Sequence, residues 1–396
     1  MEVKVVLGLA FGDEGKGVTV QNLVREAQNQ GKSVAVVRFS GGPQAAHTVQ
    51  VGDKKHICST YGAGVLLRAP TYLLEHVYFD PYCANNERKA LEELGIKDPE
   101  LYVSVFAKWI TPWDVFFDRS DNKVLGHGSC GKGIHATFVR NQHGVNYTVA
   151  KEWYAKKYGF RSTEADSFKM EYHNAHLELR KHGMQTFHDA NLLEKLKQYD
   201  VVVCEGSQGL LLDMDYGFYP YVTPSHTGLD NIKDSQIPLE NAEVYLVTRS
   251  YMTRHGNGFE PRGNAPKKYI ESQIGIETNI FNNYQGNFKV GAFDIPILSA
   301  AWNRHHMDVW INKYKLKCHL VITHADAYPR MGGQDKGVAI VLSERYVLGG
   351  DPIPHIGYTF DPYDAFLKLP FCNMIWKVFY NTSPEGNLTE ITNEIQ

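Results

Sequence analysis

Five short apolar runs, at residues 3–7, 33–37, 201–204, 244–248 and 319–323, are rich in valine and do not alternate with polar residues. A strand with one face in water alternates, so runs of this kind belong to strands covered on both faces. Helical patterns lie between several of them: residues 19–30 follow the first run, and residues 165–196 precede the third. Buried strands alternating with helices predict an α/β fold, a single body around a large, mostly parallel sheet with crossover helices. Residues 264–291 are rich in Asn, Gly and Gln and read as loop. The C-terminal end reads as frayed.

Composition narrows the partners. The 396 residues are 43% hydrophobic and 21% charged, with a formal net charge of -3, which is ordinary for a globular protein. So balanced a chain is expected to bind neither a nucleic-acid polymer nor a membrane surface. The N-terminus has no basic segment and no cleavage site, so it reads as a first buried strand rather than a secretion signal. No apolar run is long enough to span a membrane. Six cysteines without a C-x-x-C pair predict reduced thiols in a cytoplasmic protein. The seventeen histidines show no zinc-site spacing.

The first run leads into Gly8-Leu9-Ala10-Phe11-Gly12-Asp13-Glu14-Gly15-Lys16-Gly17, which opens a helix. Glycines let backbone N–H groups approach phosphate closely, a helix N-terminus favours an anion, and Lys16 adds a point charge. The loop is not a Walker A motif: Ala10 and Gly17 stand where that pattern has Gly and a hydroxyl residue. With the hydroxyl missing, Asp13 is the oxygen ligand to expect for Mg²⁺. Taken alone, the loop also fits a tight strand–helix turn with solvated charges.

The segment Gly12-Asp13-Glu14-Gly15-Lys16-Gly17, this close to the N-terminus, resembles the opening signature of adenylosuccinate synthetases. Four more segments follow in that family's order. Gly41-Gly42-Pro43-Gln44-Ala45-Ala46-His47-Thr48 is similar to G-G-H-N-A-G-H-T, and Gly128-Ser129-Cys130-Gly131-Lys132-Gly133-Ile134 to T-T-G-R-G-I-G. Glu205-Gly206-Ser207-Gln208-Gly209, with the residues to Thr223, resembles E-G-A-Q-G…L-L-D-I-D…Y-P-Y-V-T. Thr253-Arg254-His255-Gly256-Asn257-Gly258 resembles S-T-R-V-G-A-G. The matches cover residues 1–265 of one domain spanning 1–396 and weaken over 266–396.

The resemblance implies a P-loop-NTPase-like fold and an NTP-dependent C–N ligase. Such an enzyme phosphorylates O6 of a 6-oxopurine nucleotide and displaces the phosphate with an amine. Asp13 matches the family's base and metal ligand, His47 its acid, and Lys16 the phosphate-neutralising cation. Mg²⁺ is the implied cofactor, held by Asp13 and a backbone carbonyl near Ala46. Nucleotide and phosphate contacts are implied for Gly12, Glu14, Gly15, Gly17, Gln44, Thr48, Ser129, Cys130, Gln208, Thr223, Arg254 and Asp326. Arg140 is the nearest residue to the family's arginine that reaches the partner subunit's nucleotide. The family's members are homodimers.

Several departures keep alternatives open. The arginine-rich amino-acid loop is replaced by a stretch containing Gly286, Asn287 and Lys289, so the amine donor is aspartate or another amine. The segment Thr323-His324-Ala325-Asp326 lacks the Lys of T-K-L-D, leaving GTP or ATP as phosphate donor. IMP is the expected acceptor, with GMP or dGMP as alternatives. A bacteriophage branch of the family acts on dGMP, but its typical members carry a smaller residue where Asp13 stands. A non-catalytic nucleotide sensor is the reading from another class.

Overall fold

The structure, a computed structural model, describes residues 1–120, 130–262, 288–324, 338–345, 353–359, 366–381 and 386–391. Fourteen strands matter here. In chain order they are β1 (Glu2–Gly8), β2 (Val34–Arg38), β3 (His47–Val51), β4 (Lys54–Cys58), β5 (Thr71–Leu73), β6 (Leu101–Ser104), β7 (Met184–Phe187), β8 (Val201–Gly209), β9 (Glu243–Arg249), β10 (Met252–Arg254), β11 (Lys289–Gly291), β12 (Lys317–Thr323), β13 (Lys377–Tyr380) and β14 (Thr389–Glu390). Ten of them form one sheet in the order β14-β13-β12-β9-β1-β8-β2-β5-β6-β7. Every junction is parallel except the one between β13 and β14, at one edge. The five valine-rich runs became β12, β9, β1, β8 and β2, the adjacent strands at the middle of the sheet.

Their lack of alternation has the expected cause. Val3, Val5 and Leu7 enter one core with Val202, Cys204, Val244 and Leu246. Val6, Val201, Val203, Tyr245 and Val247 enter a second core on the opposite face. Helix α1 (Lys16–Asn29) covers the second face with Val20, Leu23, Val24 and Ala27. The helix Ile295–Arg304 covers the first with Ile295, Ile297, Leu298, Ala301 and Trp302. Among the described residues, no helix is long and apolar enough to cross a membrane.

One expected helix proves to be two pieces. The pattern over residues 165–196 splits into the helix Thr163–Lys181, strand β7 and the short helix Leu192–Leu196. Gly183, at φ 95°, turns the chain out of the first helix. Met184 and Phe187 are buried and the two residues between them exposed, so β7 is an edge strand too short and too polar to read. Of the stretch read as loop over residues 264–291, residues 264–287 lie outside the described residues. The last residues of that stretch form β11, paired antiparallel with β10.

The connection from β1 leads to β2 on one side, while β9 and β12 lie on the other, making the carboxyl end of β1 a switch point of the sheet. Crevices at such points are where open α/β sheets bind ligands. Leu246→Ala, which empties a fully buried position of β9, is expected to cost about 2–5 kcal/mol, read from urea unfolding. A loss below about 1 kcal/mol would contradict the central place given to β9.

Candidate active site

The turn after β1 is held by its carbonyls. The hydroxyl of Thr253 donates to Gly12 O at 3.4 Å, Arg249 Nε to Asp13 O at 2.5 Å, and the Thr323 hydroxyl to Glu14 O at 2.6 Å. Three consecutive carbonyls are thus tied to β9, β10 and β12. Gly12 and Gly15, both at φ 94°, take the left-handed conformation that this path requires. Gly17 meets a further constraint, since a Cβ there would come within 2.7 Å of His47 Cβ.

Asp13 and Glu14 are neighbours with opposite surroundings. Glu14 is buried, and its carboxylate accepts from Ala10 N at 3.1 Å, Gly12 N at 2.7 Å and Lys16 Nζ at 2.7 Å. Lys16 is buried as well, so its charge is neutralised internally. The donors expected to face phosphate are engaged with Glu14. The Asp13 side chain is 31% exposed, and its nearest ionisable partner is His255, whose Nε2 lies 3.8 Å from Oδ2. Asp13 itself sits at φ 61°, an uncommon conformation for a residue with a side chain.

His47 opens β3, and its Nδ1 donates to Glu205 Oε1 at 2.5 Å. Glu205 lies on β8 with no solvent exposure, and its other oxygen accepts from Ala63 N at 2.8 Å. Burial pushes the His47 imidazole below its ordinary range, while the Glu205 carboxylate pulls it back up. Burial also opposes the charge on Glu205, yet His47 and then Arg38 hold its carboxyl below the usual range. Arg38, also buried, donates to Ser59 O at 2.6 Å and Ala45 O at 2.9 Å, fixing the loop that carries Gln44, Ala46 and His47. Ala46 is exposed and needs no positive φ, so its carbonyl tolerates the alanine.

Several buried polar atoms here have no partner: both amide atoms of Gln44, His47 Nε2, Gln208 Oε1, Ser40 Oγ and Arg254 Nη1. Buried polar atoms are normally satisfied, so each of these is available to a polar ligand. Arg254 is buried against the Phe11 ring at 4.5 Å and, among the described residues, donates to the carbonyls of Asn257 and Tyr221. Burial lowers its guanidinium to about 10. Thr223 is buried in a loop anchored by Asp213, whose carboxylate accepts from Asp215 N, Tyr216 N and Thr227 N. Thr48 pairs with Ile57 in the hairpin of β3 and β4.

Other expectations fare differently. Arg140 is buried and engaged within its own chain, bonded to Asp114 at 2.8 and 3.0 Å and to Trp109 O. Burial pushes the Cys130 thiol up to about 11, so it stays protonated, but S–H is a weaker donor than the hydroxyl it replaces. Lys289 is ion-paired with Glu260. Ser129, Asp326, Gly286 and Asn287 lie outside the described residues. His56, Cys58 and Glu87 also converge, but the Glu87 oxygens are taken by the N–H groups of Ser59, Thr60 and Tyr61, which makes it a turn clamp. The roles of Glu205, Arg249 and His255 were missed in the sequence. Only Glu205 left a signal, as the first residue of E-G-S-Q-G.

Fold and loop geometry define an α/β protein with a glycine-rich turn at the switch point of a large, mostly parallel sheet. The chain belongs to the adenylosuccinate synthetase family, which matches residues 5–317. It is similar to the adenylosuccinate synthetase of Clostridium botulinum, 31% identical over 285 residues, a match covering 65% of this chain and 65% of the relative. That span is just under two thirds of the relative's length. The enzyme of Francisella philomiragia is 28% identical over 345 residues, covering 79% and 74% of the two chains. Among solved structures, the fully ligated adenylosuccinate synthetase of Plasmodium falciparum superposes with a TM-score of 0.77 at 18% identity, covering 99% of this chain and 100% of that one. The succinoaminodeoxyadenylate synthetase of cyanophage S-2L, bound to dGMP and dATP, gives 0.63 at 14% identity, covering 98% and 95%. The shared fold therefore continues past residue 265, where the motif matches fade.

Asp213 supplies a pH test of the loop that carries Thr223. Burial opposes its charge, but His226 and the loop N–H groups hold its carboxyl at about 2, against an ordinary 3.8. The depressed value means the stabilisation is present above 3.8 and lost as pH falls through about 2. Asp213→Asn is expected to destabilise the protein by about 2 kcal/mol at pH 7, a gap that narrows below pH 4. Urea midpoints unchanged at pH 7 would contradict this anchoring role.

Proposed function

We propose that the chain is an NTP-dependent C–N ligase acting on a 6-oxopurine nucleoside monophosphate, with IMP as acceptor, GTP as donor and aspartate as amine. The observation that carries the reading is a partly exposed carboxylate, Asp13, in the turn that runs to Gly17, and a buried imidazole, His47, packed against Gly17, fixed through Nδ1 and open at Nε2.

Asp13 accepts the proton from purine N1 as O6 attacks the γ-phosphorus, and the NDP leaves. His47, held by Glu205, directs Nε2 to the charge developing between O6 and the phosphoryl group. The amine nitrogen then attacks C6, phosphate departs with O6, and the amine gives up a proton. Glu14 must yield Lys16 and the loop N–H groups to the nucleotide phosphates. Gln208 and Gln44 offer amide groups to the purine, and Thr223 its hydroxyl to the monophosphate. The free Asp13 carboxylate and the exposed Ala46 carbonyl suit Mg²⁺, whose chemistry is to neutralise charge on the transferring phosphoryl group. A cytoplasmic homodimer is the expected assembly.

The second acceptor reading is dGMP or GMP, with ATP or dATP as donor, because the similar cyanophage enzyme holds dGMP and dATP. The test is a matrix of IMP, GMP and dGMP against GTP and ATP, with Mg²⁺, with and without aspartate, and products identified by mass. A succinyl-aminopurine nucleotide formed only with aspartate supports the ligase. Nucleotide binding without turnover in any combination would replace it with a sensor.

Asp13→Asn and His47→Ala are each expected to lower kcat by about 10²–10⁴-fold with the melting temperature preserved. Full activity in both would overturn the site. Glu205→Gln, which replaces the charged acceptor of His47 with a neutral amide, is expected to lower kcat on the order of 10²-fold. Unchanged turnover there would show that His47 needs no orientation.

A further inference from the structure

We propose that His255 is a positioning residue for Asp13: it engages one carboxylate oxygen so that the other faces purine N1. The inference rests on the ligase reading above.

His255 Nε2 lies 3.8 Å from Asp13 Oδ2, and no hydrogen bond to that carboxylate is present among the described residues. The backbone of Asp13 is already fixed, because Arg249 Nε holds its carbonyl at 2.5 Å. That backbone contact does not set the rotation of the carboxylate. A base that must meet N1–H in line loses rate when its oxygen wanders, and a misplacement of about 1 Å can cost on the order of 10²-fold.

His255 is built to remove that freedom. It follows β10, beside the turn that Thr253 ties to Gly12. Its ring packs at 4.7 Å and 47° against Phe288, and Arg249 lies 5.5 Å from the centre of the same Phe288 ring. Nδ1 is buried without a partner, so Nε2 is the ring's usable polar atom. With a proton on Nε2 the ring can donate to Asp13 once the pair closes to about 3 Å. The family pattern T-R-V-G has Val at this position, which could not make the contact.

The test compares His255→Val, His255→Gln and His255→Asn. Gln places an N–H where Nε2 stands, whereas Asn reaches only as far as Nδ1. The expected result is a loss in kcat of about 10–100-fold for Val and Asn, substantial recovery for Gln, and KM for the monophosphate within about 3-fold throughout. If the Val variant does not fold, the Gln and Asn pair carries the comparison. In an Asp13→Asn background the same substitutions should cost nothing further, because they act through that carboxylate. Wild-type kcat in the Val or Asn variants, equal losses in Gln and Asn, or a loss confined to KM would overturn the proposal and leave the ligase reading intact. Absence of turnover in the wild-type protein would overturn both.

Discussion

The site is organised around a charge buried at the centre of the sheet. Glu205 ends the apolar part of β8, between β1 and β2, and has no contact with water. Its oxygens hold His47 and Ala63, while the guanidinium of Arg38 balances its charge and ties the His47 loop down. Gly62 stands so close that a Cβ would come within 3.2 Å of Glu205 Oε2 and 2.5 Å of Val36. A buried charge that loses one partner is costly, so these groups constrain one another. His47 therefore inherits its position from the core, not from its own loop.

The phosphate loop shows the same economy with two adjacent carboxylates. Glu14 is saturated and buried, and its contacts give the turn its shape. Asp13 is turned outward by a positive φ, with its carbonyl pinned and its carboxylate left for chemistry. Residue type alone cannot distinguish such roles, because environment assigns them. The polar atoms left unsatisfied on Gln44, His47 and Gln208 come from two segments far apart in the chain, the loop into β3 and the end of β8. They acquire a common purpose only where the sheet brings those segments together.

The same logic separates what could be read in the sequence from what could not. The five central strands were legible because burial on both faces leaves an unbroken apolar run. Strands β5, β6 and β7 lie toward one edge, are three or four residues long, and in β7 carry polar residues at the middle. Such strands are defined by their neighbours more than by their composition. Asp13, His47 and Gln208 were legible because each sits inside a continuous motif. The burial of Arg140 was not legible because its helix gives no sign of Asp114, twenty-six residues earlier, with which it is paired. His255 was passed over because its meaning depends on Asp13, far away in the chain and 3.8 Å away in space.

The account's central claim is that O6 of the purine is the atom phosphorylated. The most direct measurement supplies the acceptor nucleotide with ¹⁸O at C6 and follows that label by mass in a single turnover with unlabelled NTP and amine. If O6 attacks the γ-phosphorus, the released phosphate carries the ¹⁸O and the aminopurine product has lost it. Unlabelled phosphate released alongside the aminopurine product would contradict the account, because the phosphoryl group would then have gone to some other atom.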